Sequence, residues 1–90
     1  MTKITITIQL FGAFRKYFAN NKTSFSVAAN SDLAAVRKQF SELIKQTNTD
    51  ARIDELIKTS AFATDGDIIQ DDFCFDADIE LAVLPPVCGG

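Results

Sequence analysis

The sequence predicts an α+β fold in which one main helix packs against one face of a mixed β-sheet. Two segments, residues 3–11 and 78–84, alternate apolar and polar side chains as half-buried strands do. Between them, residues 32–46 carry apolar side chains at three- and four-residue steps, as an amphipathic helix does. The chain has 90 residues and is 47% hydrophobic, so we expect a single domain over residues 1–90 with its tail at 85–90.

The first strand is expected to form a hairpin-like pair with a second one. Phe11 lies on its outward row. Residues 13–20 predict a short helical turn, and Asn20-Asn21-Lys22 predicts a chain reversal. A returning strand is then expected over residues 23–29. The side chains predicted to face inward in the two strands are Ile4, Ile6, Ile8, Leu10, Phe25 and Val27.

The main helix is expected from about Asp32 to Gln46. Asn30 and Ser31 are candidate N-cap residues, and the carboxylate of Asp32 suits the positive end of the helix dipole. The stripe predicted to face the sheet consists of Leu33, Val36, Phe40, Leu43 and Ile44. The other face of the sheet has no helix assigned to it, so we expect it to be partly solvated.

Shorter elements follow the main helix. A second short helix is indicated by the spacing of Ile53, Leu56 and Ile57. Residues 60–64 and 67–70 predict two strands joined by a turn at Asp65-Gly66. Residues 73–75, Phe-Cys-Phe, are expected to form a loop that tucks its aromatic rings against the core.

The last strand runs directly into the most distinctive segment of the sequence. Its inward row is expected to be Ile79, Leu81 and Val83. Pro85 and Pro86 cannot donate to a sheet ladder, so pairing should end after Leu84. Residues 87–90 should then project as a flexible tail. Its two glycines have no Cβ, so the tail could enter a narrow slot and present a carboxylate to another protein; the alternative is an ordinary frayed terminus.

Composition narrows the function classes. The net charge of −3 argues against a nucleic-acid partner. Histidine is absent, which removes the commonest general base and metal ligand, so we expect no metal site and no stand-alone enzyme. Cys74 and Cys88 fit no zinc or redox spacing.

With no export-like leader and no long apolar run, we expect a cytoplasmic protein with no membrane partner. From Thr59 onward all seven charged residues are acidic, which suits either a basic partner pocket or a solvated surface.

Several segments together resemble one known family. Four are only loosely similar to it: residues 10–15, 33–37, 62–66 and 76–80. The specific segment is Pro85-Pro86-Val87-Cys88-Gly89-Gly90. The chain resembles the ubiquitin-like β-grasp sulfur carriers, and among them the small subunits of molybdopterin synthases. This resemblance implies a β-grasp fold, in which the first and last long strands lie adjacent and parallel at the centre of the sheet.

The resemblance also implies a chemistry for the tail. Gly90 would be the reactive centre, with Gly89 keeping the tail slim. A ubiquitin-activating-type adenylyltransferase would consume ATP to activate the carboxylate, and a sulfur donor system would convert it to a thiocarboxylate. The large subunit of molybdopterin synthase would then accept the tail and pass the sulfur to a pterin precursor, so this chain would bind no cofactor itself. The side chains expected to contact partners are Phe11, Leu84, Pro85, Pro86, Val87 and Cys88.

Other interpretations of the same residues stay open. The chain could carry sulfur for thiamine, a thiolated nucleoside or cysteine. It could be a ubiquitin-like modifier joined through Gly90 to a lysine, or a binding module with an incidental tail. Phe11 and Leu84 could simply be covered by a loop. Cys88 could fill a position that the family usually gives to Ser, Thr or Ala, or it could act as a regulatory thiol beside the activated carboxylate.

Overall fold

The computed structural model describes residues 2–48 and 52–86. Two short 3₁₀ turns, Gly12–Lys16 and Ala19–Asn21, connect the first two strands. In chain order, the strands and helices of the described residues are β1 (Lys3–Leu10), β2 (Lys22–Ala28), β3 (Ser31–Asp32), α1 (Leu33–Lys45), α2 (Ile53–Thr59), β4 (Ala61–Thr64), β5 (Asp67–Ile69), β6 (Cys74–Phe75) and β7 (Ile79–Leu84).

The central strands β1 and β7 lie side by side and run parallel. They belong to a five-stranded sheet of order β2-β1-β7-β4-β5, in which Ile6 pairs with Ile79 and Leu10 with Val83. The remaining neighbours are antiparallel. Parallel neighbours need a long crossover connection, and α1 forms part of it. The expected ubiquitin-like β-grasp fold is therefore confirmed.

The core lies between α1 and the inner face of the sheet. The predicted phase of the strands is confirmed, because the inward side chains are buried or packed against the core. Phe40 of α1 lies at the centre of an aromatic cluster, with its ring centroid 5.7 Å from that of Phe14 and 6.1 Å from that of Phe62. The fully buried members of the α1 stripe are Leu33, Val36, Phe40 and Ile44; Leu43 is half-buried at its margin.

The start of α1 differs from the prediction by one or two residues. Asp32 is the N-cap, and its Oδ1 accepts a hydrogen bond of 3.0 Å from the backbone N–H of Ala35. Asn30 and Ser31, the predicted caps, lie before the helix: Asn30 has a φ of +71°, and the hydroxyl of Ser31 donates to the carbonyl of Ala28. A carboxylate satisfies the free N–H groups of the first turn and also stabilises the positive end of the dipole.

The Phe73-Cys74-Phe75 segment is not the loop that we expected. Cys74 and Phe75 form β6, which pairs antiparallel with β3 in a separate two-stranded sheet. Phe75 is buried, but half of the surface of Phe73 is exposed, so only one of the two rings packs into the core. The strand begins only at Cys74, and two residues are too few for the sequence to show the alternation of a strand.

Both predicted tight turns are confirmed by their backbone angles. Asn20 and Asn21 have φ values of +63° and +56°, and Asp65 and Gly66 have values of +51° and +83°. Asparagine, aspartate and glycine are the residues that adopt this left-handed conformation most readily. These turns return the chain so that β2 lies beside β1, and β5 beside β4.

Arg37 joins α1 to the second half of the chain. Its guanidinium donates to the carbonyls of Ile57 (2.5 Å) and Ser60 (2.8 Å), at the end of α2. It also lies 3.0 Å from the carboxylate of Asp71 and 4.8 Å from the ring centroid of Phe62. One side chain thus caps two carbonyls at the end of α2, and the carbonyl of Ile57 also accepts from the backbone N–H of Ser60.

Candidate interaction site at the end of the central strands

The carboxyl ends of β1 and β7 meet at one edge of the sheet, because the two strands are parallel. Leu10 pairs with Val83 in the last register position. Phe11 follows Leu10, and Leu84 follows Val83. Both are exposed, with relative accessibilities of 42% and 37%. The described part of the chain therefore leaves more than a third of each residue's surface open. We call these two residues the exit patch, because β7 leads from it into Pro85 and Pro86.

Gly12 lies directly against the tail where it leaves the sheet. A Cβ atom built on Gly12 would be 2.6 Å from Cγ of Pro85 and 3.4 Å from its Cδ, and the first distance is shorter than any real contact of this kind. Gly12 also has a φ of +57°, a conformation that disfavours side chains. The proline ring therefore occupies the space that any other residue at position 12 would fill.

A shallow concavity with basic side chains adjoins the exit patch. It is lined by Gln9, Leu10, Phe11, Arg15, Asn20, Asn21 and Lys22. Arg15 is exposed. The Nζ atom of Lys22 lies 3.0 Å from Oε2 of Glu80, across the width of β1. On its β2 side the patch is therefore bordered by the exposed Arg15 and by the Lys22–Glu80 ion pair.

Glu80 is the best-anchored acid on the outer face of the central strands. The ammonium of Lys22 lowers the pKa of Glu80 below its ordinary value, and a hydrogen bond from Nε2 of Gln9 (3.1 Å) adds to this effect. Because the pair is open to solvent, it contributes little to stability. The pair does hold one positive and one negative side chain in place on the surface next to the exit patch.

A second exposed apolar pair lies at the far edge of the sheet. Ile68 on β5 is 62% exposed and Phe73 is 50% exposed, and both line one shallow concavity together with Asp67 and Asp72. The strand order places β5 two positions away from β7. This edge pair is therefore more exposed than the exit patch but is separated from the tail.

The described residues contain no group of side chains that could hold a metal ion. Within the same part of the chain, no helix is long and apolar enough to cross a membrane. Cys74 is an exposed free thiol. The predicted contacts and chemistry at Val87, Cys88, Gly89 and Gly90 lie outside the described residues. The structure thus describes where the tail leaves the sheet, and the roles of its last residues stay predictions.

Sequence reasoning missed Gly12 as part of this site. The signal available was a glycine directly after a strand, which often marks a turn or a close approach of backbone. Nothing in the sequence tells which residue approaches it. Pro85 is distant along the chain and reaches Gly12 only because β1 and β7 are neighbours.

Comparison with known proteins agrees with this geometry. The model of the ThiS family matches residues 8–90. A search of curated proteins returned no match. Similar solved structures include a ubiquitin from Caldiarchaeum subterraneum, at 17% identity, a TM-score of 0.61 and coverage of 99% of this chain and 100% of that chain.

Two further solved structures have a similar fold. The HVO 2177 protein of Haloferax volcanii has 14% identity and a TM-score of 0.67, over 98% of this chain and 88% of that chain. The C-terminal ubiquitin-like domain of a human 2′-5′-oligoadenylate synthetase-like protein has 14% identity and a TM-score of 0.62, over 99% and 90%. At such identities the likeness concerns the fold alone.

The fold is that of the ubiquitin-like proteins, and the family match places the chain in their sulfur-carrier class. Because the family model covers most of the sequence, the chain belongs to the ThiS family.

Proposed function

We propose that this protein carries sulfur as a thiocarboxylate on Gly90, and that it serves as the small subunit of a molybdopterin synthase. The observation that carries the proposal is the ThiS family match, which extends through Gly89 and Gly90. The sulfur-carrier role follows from the family. The particular pathway is supported by the resemblance of the Pro-Pro-Val-x-Gly-Gly segment to the small subunits of these synthases.

The chemistry begins with the poor reactivity of a carboxylate. An adenylyltransferase of the ubiquitin-activating type would transfer AMP from ATP to the Gly90 carboxylate and release pyrophosphate. Hydrosulfide supplied by the donor system would attack the acyl carbon, AMP would leave, and a thiocarboxylate would remain. If the donor is a protein persulfide, a second thiol must then reduce the acyl disulfide that forms to release the thiocarboxylate. Residues 85–90 contain no carboxylate, imidazole or amine side chain, so the partners must supply proton transfer and charge stabilisation.

The exit patch is the surface on which we propose that the large synthase subunit docks. Phe11 and Leu84 expose apolar area beside the first residues of the tail, and burial of such area on binding is favourable. Aromatic residues in a central position often carry much of an interface's binding energy. Docking at this patch would hold the start of the tail against the partner while residues 87–90 extend into its active site.

Intact-mass spectrometry tests the sulfur-carrier role. The protein is incubated with ATP, the adenylyltransferase and a sulfur source, and a gain equal to the exchange of one oxygen for sulfur is expected. The variant that lacks Gly90 should retain the stability of the wild type but release no pyrophosphate. Gly89→Val should slow transfer, because the valine side chain would obstruct the slot. Normal pyrophosphate release without Gly90 would exclude its carboxylate as the activated group.

A second step tests the pathway. The thiocarboxylated protein is mixed with the large subunit of a molybdopterin synthase and the pterin precursor, and formation of the dithiolene product is expected. A thiocarboxylate that forms but yields no dithiolene would assign the carrier to another pathway, such as that of thiamine, a thiolated nucleoside or cysteine. Gly90-dependent isopeptide conjugates in cells, without thiocarboxylate, would instead identify a protein modifier.

A further inference from the structure

We infer that Gly12 is a positioning residue for the tail. Its missing side chain leaves room for the ring of Pro85, and this contact fixes the direction in which the chain leaves β7. The consequence for sulfur transfer rests on the proposed function, whereas the contact itself can be tested on the isolated protein.

The geometry at Gly12 leaves no space for even one additional carbon atom. The 2.6 Å between a built Cβ and Cγ of Pro85 is far below the usual separation of two carbon atoms in contact. The proline ring is closed onto its own backbone nitrogen, so Cγ cannot rotate away as the end of a flexible side chain could. An alanine at position 12 would therefore displace the backbone of Pro85 or that of the turn.

The contact also links the exit patch to the tail. Phe11 immediately precedes Gly12, and Leu84 immediately precedes Pro85. Leu10 and Val83 are register partners in the parallel ladder between β1 and β7. The ends of β1 and β7 thus hold the exit patch next to Pro85, the first residue of the tail. A partner that docks on the patch would therefore meet the tail in a fixed direction.

The chain offers a matched control for this contact. Gly66 also has a positive φ, of +83°, but a Cβ built there would meet nothing within 4 Å. Gly66→Ala therefore imposes backbone strain of the same kind as Gly12→Ala without a clash. Replacing Pro85 by alanine removes Cγ and Cδ and leaves Cβ, which would lie at an ordinary 3.9 Å. The variant Gly12→Ala/Pro85→Ala should then relieve the clash while it keeps the strain.

NMR spectroscopy tests the contact without any partner. The wild type should show a nuclear Overhauser effect between the Hα atoms of Gly12 and the ring protons of Pro85. In Gly12→Ala the signals of Leu84 and Pro86 should shift, whereas those of the core residues Ile6 and Phe40 stay in place. Gly66→Ala should leave Leu84 and Pro86 unchanged. Absence of the wild-type effect, or unchanged signals at Leu84 and Pro86 in Gly12→Ala, would overturn the inference.

Steady-state kinetics of adenylation test whether the contact between Gly12 and Pro85 positions the tail for reaction. Misplacement of a reacting group by about 1 Å can cost roughly 100-fold in rate, so we expect kcat/KM for pyrophosphate release by Gly12→Ala to fall by about 10- to 100-fold relative to Gly66→Ala. The double variant should recover most of the loss, measured against Pro85→Ala alone, because the two residues act through one contact. Equal rates for Gly12→Ala and Gly66→Ala would count against positioning. So would a double variant that is slower than Pro85→Ala by the same factor by which Gly12→Ala is slower than the wild type.

Two further outcomes separate the inference from the proposed function. If the wild type is not adenylated at all, the proposed function fails and the NMR comparison alone decides the role of Gly12. If Gly12→Ala does not fold, the double variant decides: folding of the double variant supports the contact with Pro85, and its failure to fold would assign Gly12 only a backbone role.

Discussion

The inner and outer faces of the central strands β1 and β7 differ in both exposure and chemistry. The inner row is aliphatic and almost completely buried beneath α1, from Ile4 and Ile6 to Leu81 and Val83. The outer row is polar along most of its length, and its side chains are exposed or half-buried. Large apolar side chains appear on it only where the strands end, at the exit patch. Burial on one face can therefore stabilise the fold while the end of the other face is free to bind a partner.

The edge pair, Ile68 and Phe73, shows how the exit patch differs from another exposed apolar pair. It exposes more of each side chain than Phe11 and Leu84 do, so exposure alone does not identify the interaction site. What distinguishes the exit patch is its position beside Gly12 and Pro85 at the start of the tail. The four predictions below test these differences and the role of the tail, in order of decreasing expected effect.

The largest expected effect is on the inner face. Ile6 of β1 is fully buried in the core. Ile6→Ala should therefore lower the free energy of unfolding by roughly 2–5 kcal/mol, because apolar burial is lost and a cavity remains. Thr5→Ala, on the exposed row next to it, is the matched control and should change stability by less than about 0.5 kcal/mol. Urea unfolding followed by circular dichroism measures both. A loss below about 0.5 kcal/mol for Ile6→Ala would contradict the assigned core.

The next effect concerns binding at the exit patch. Phe11→Ala and Leu84→Ala should each raise the Kd for the large synthase subunit by about tenfold or more, equivalent to about 1.4 kcal/mol, with almost no change in melting temperature. Ile68→Ala removes an even more exposed side chain and should leave the Kd unchanged. Isothermal titration calorimetry gives the three affinities. Wild-type affinity in both patch variants would reject the exit patch as the docking surface.

A smaller effect is expected for the Lys22–Glu80 pair. Since the folded state lowers the pKa of Glu80, its contribution to stability is fully present above the pKa of the unfolded chain and disappears as the pH falls through the folded pKa. Glu80→Gln should therefore be slightly less stable than the wild type at pH 7, and the difference should vanish in strong acid. Added salt should also reduce it. A difference that persists at about pH 2, well below the ordinary glutamate pKa, would exclude the ion pair as its cause.

The smallest expected effect concerns Cys88. An ordinary exposed thiol is largely protonated at neutral pH, so we expect Cys88→Ser to match the wild type in thiocarboxylate yield and half-life. The comparison is made by intact mass under reducing and oxidising conditions. A redox-dependent difference that disappears in the serine variant would identify Cys88 as a regulatory thiol.

Periodicity in the sequence was sufficient to predict most of the fold. The alternation around Ile6 and Leu81 gave the right inward rows, and the stripe around Phe40 gave the helix, because burial on one face imposes a regular spacing on the residues that face it. The Asp65-Gly66 turn was predictable for a different reason, since few residues adopt positive φ. The short strands β3 and β6 were missed because two residues have no period.

The sequence by itself determined which residues of β1, β7 and α1 face the core, where the chain turns and which segment resembles the tail of a sulfur carrier. Only the tertiary structure decided that Phe11 and Leu84 end neighbouring strands, and that Pro85 packs on Gly12. The physical reason is that spacing along the chain reports the local environment of each residue. A contact between residues far apart in sequence depends instead on how the strands pair and how closely their backbones approach.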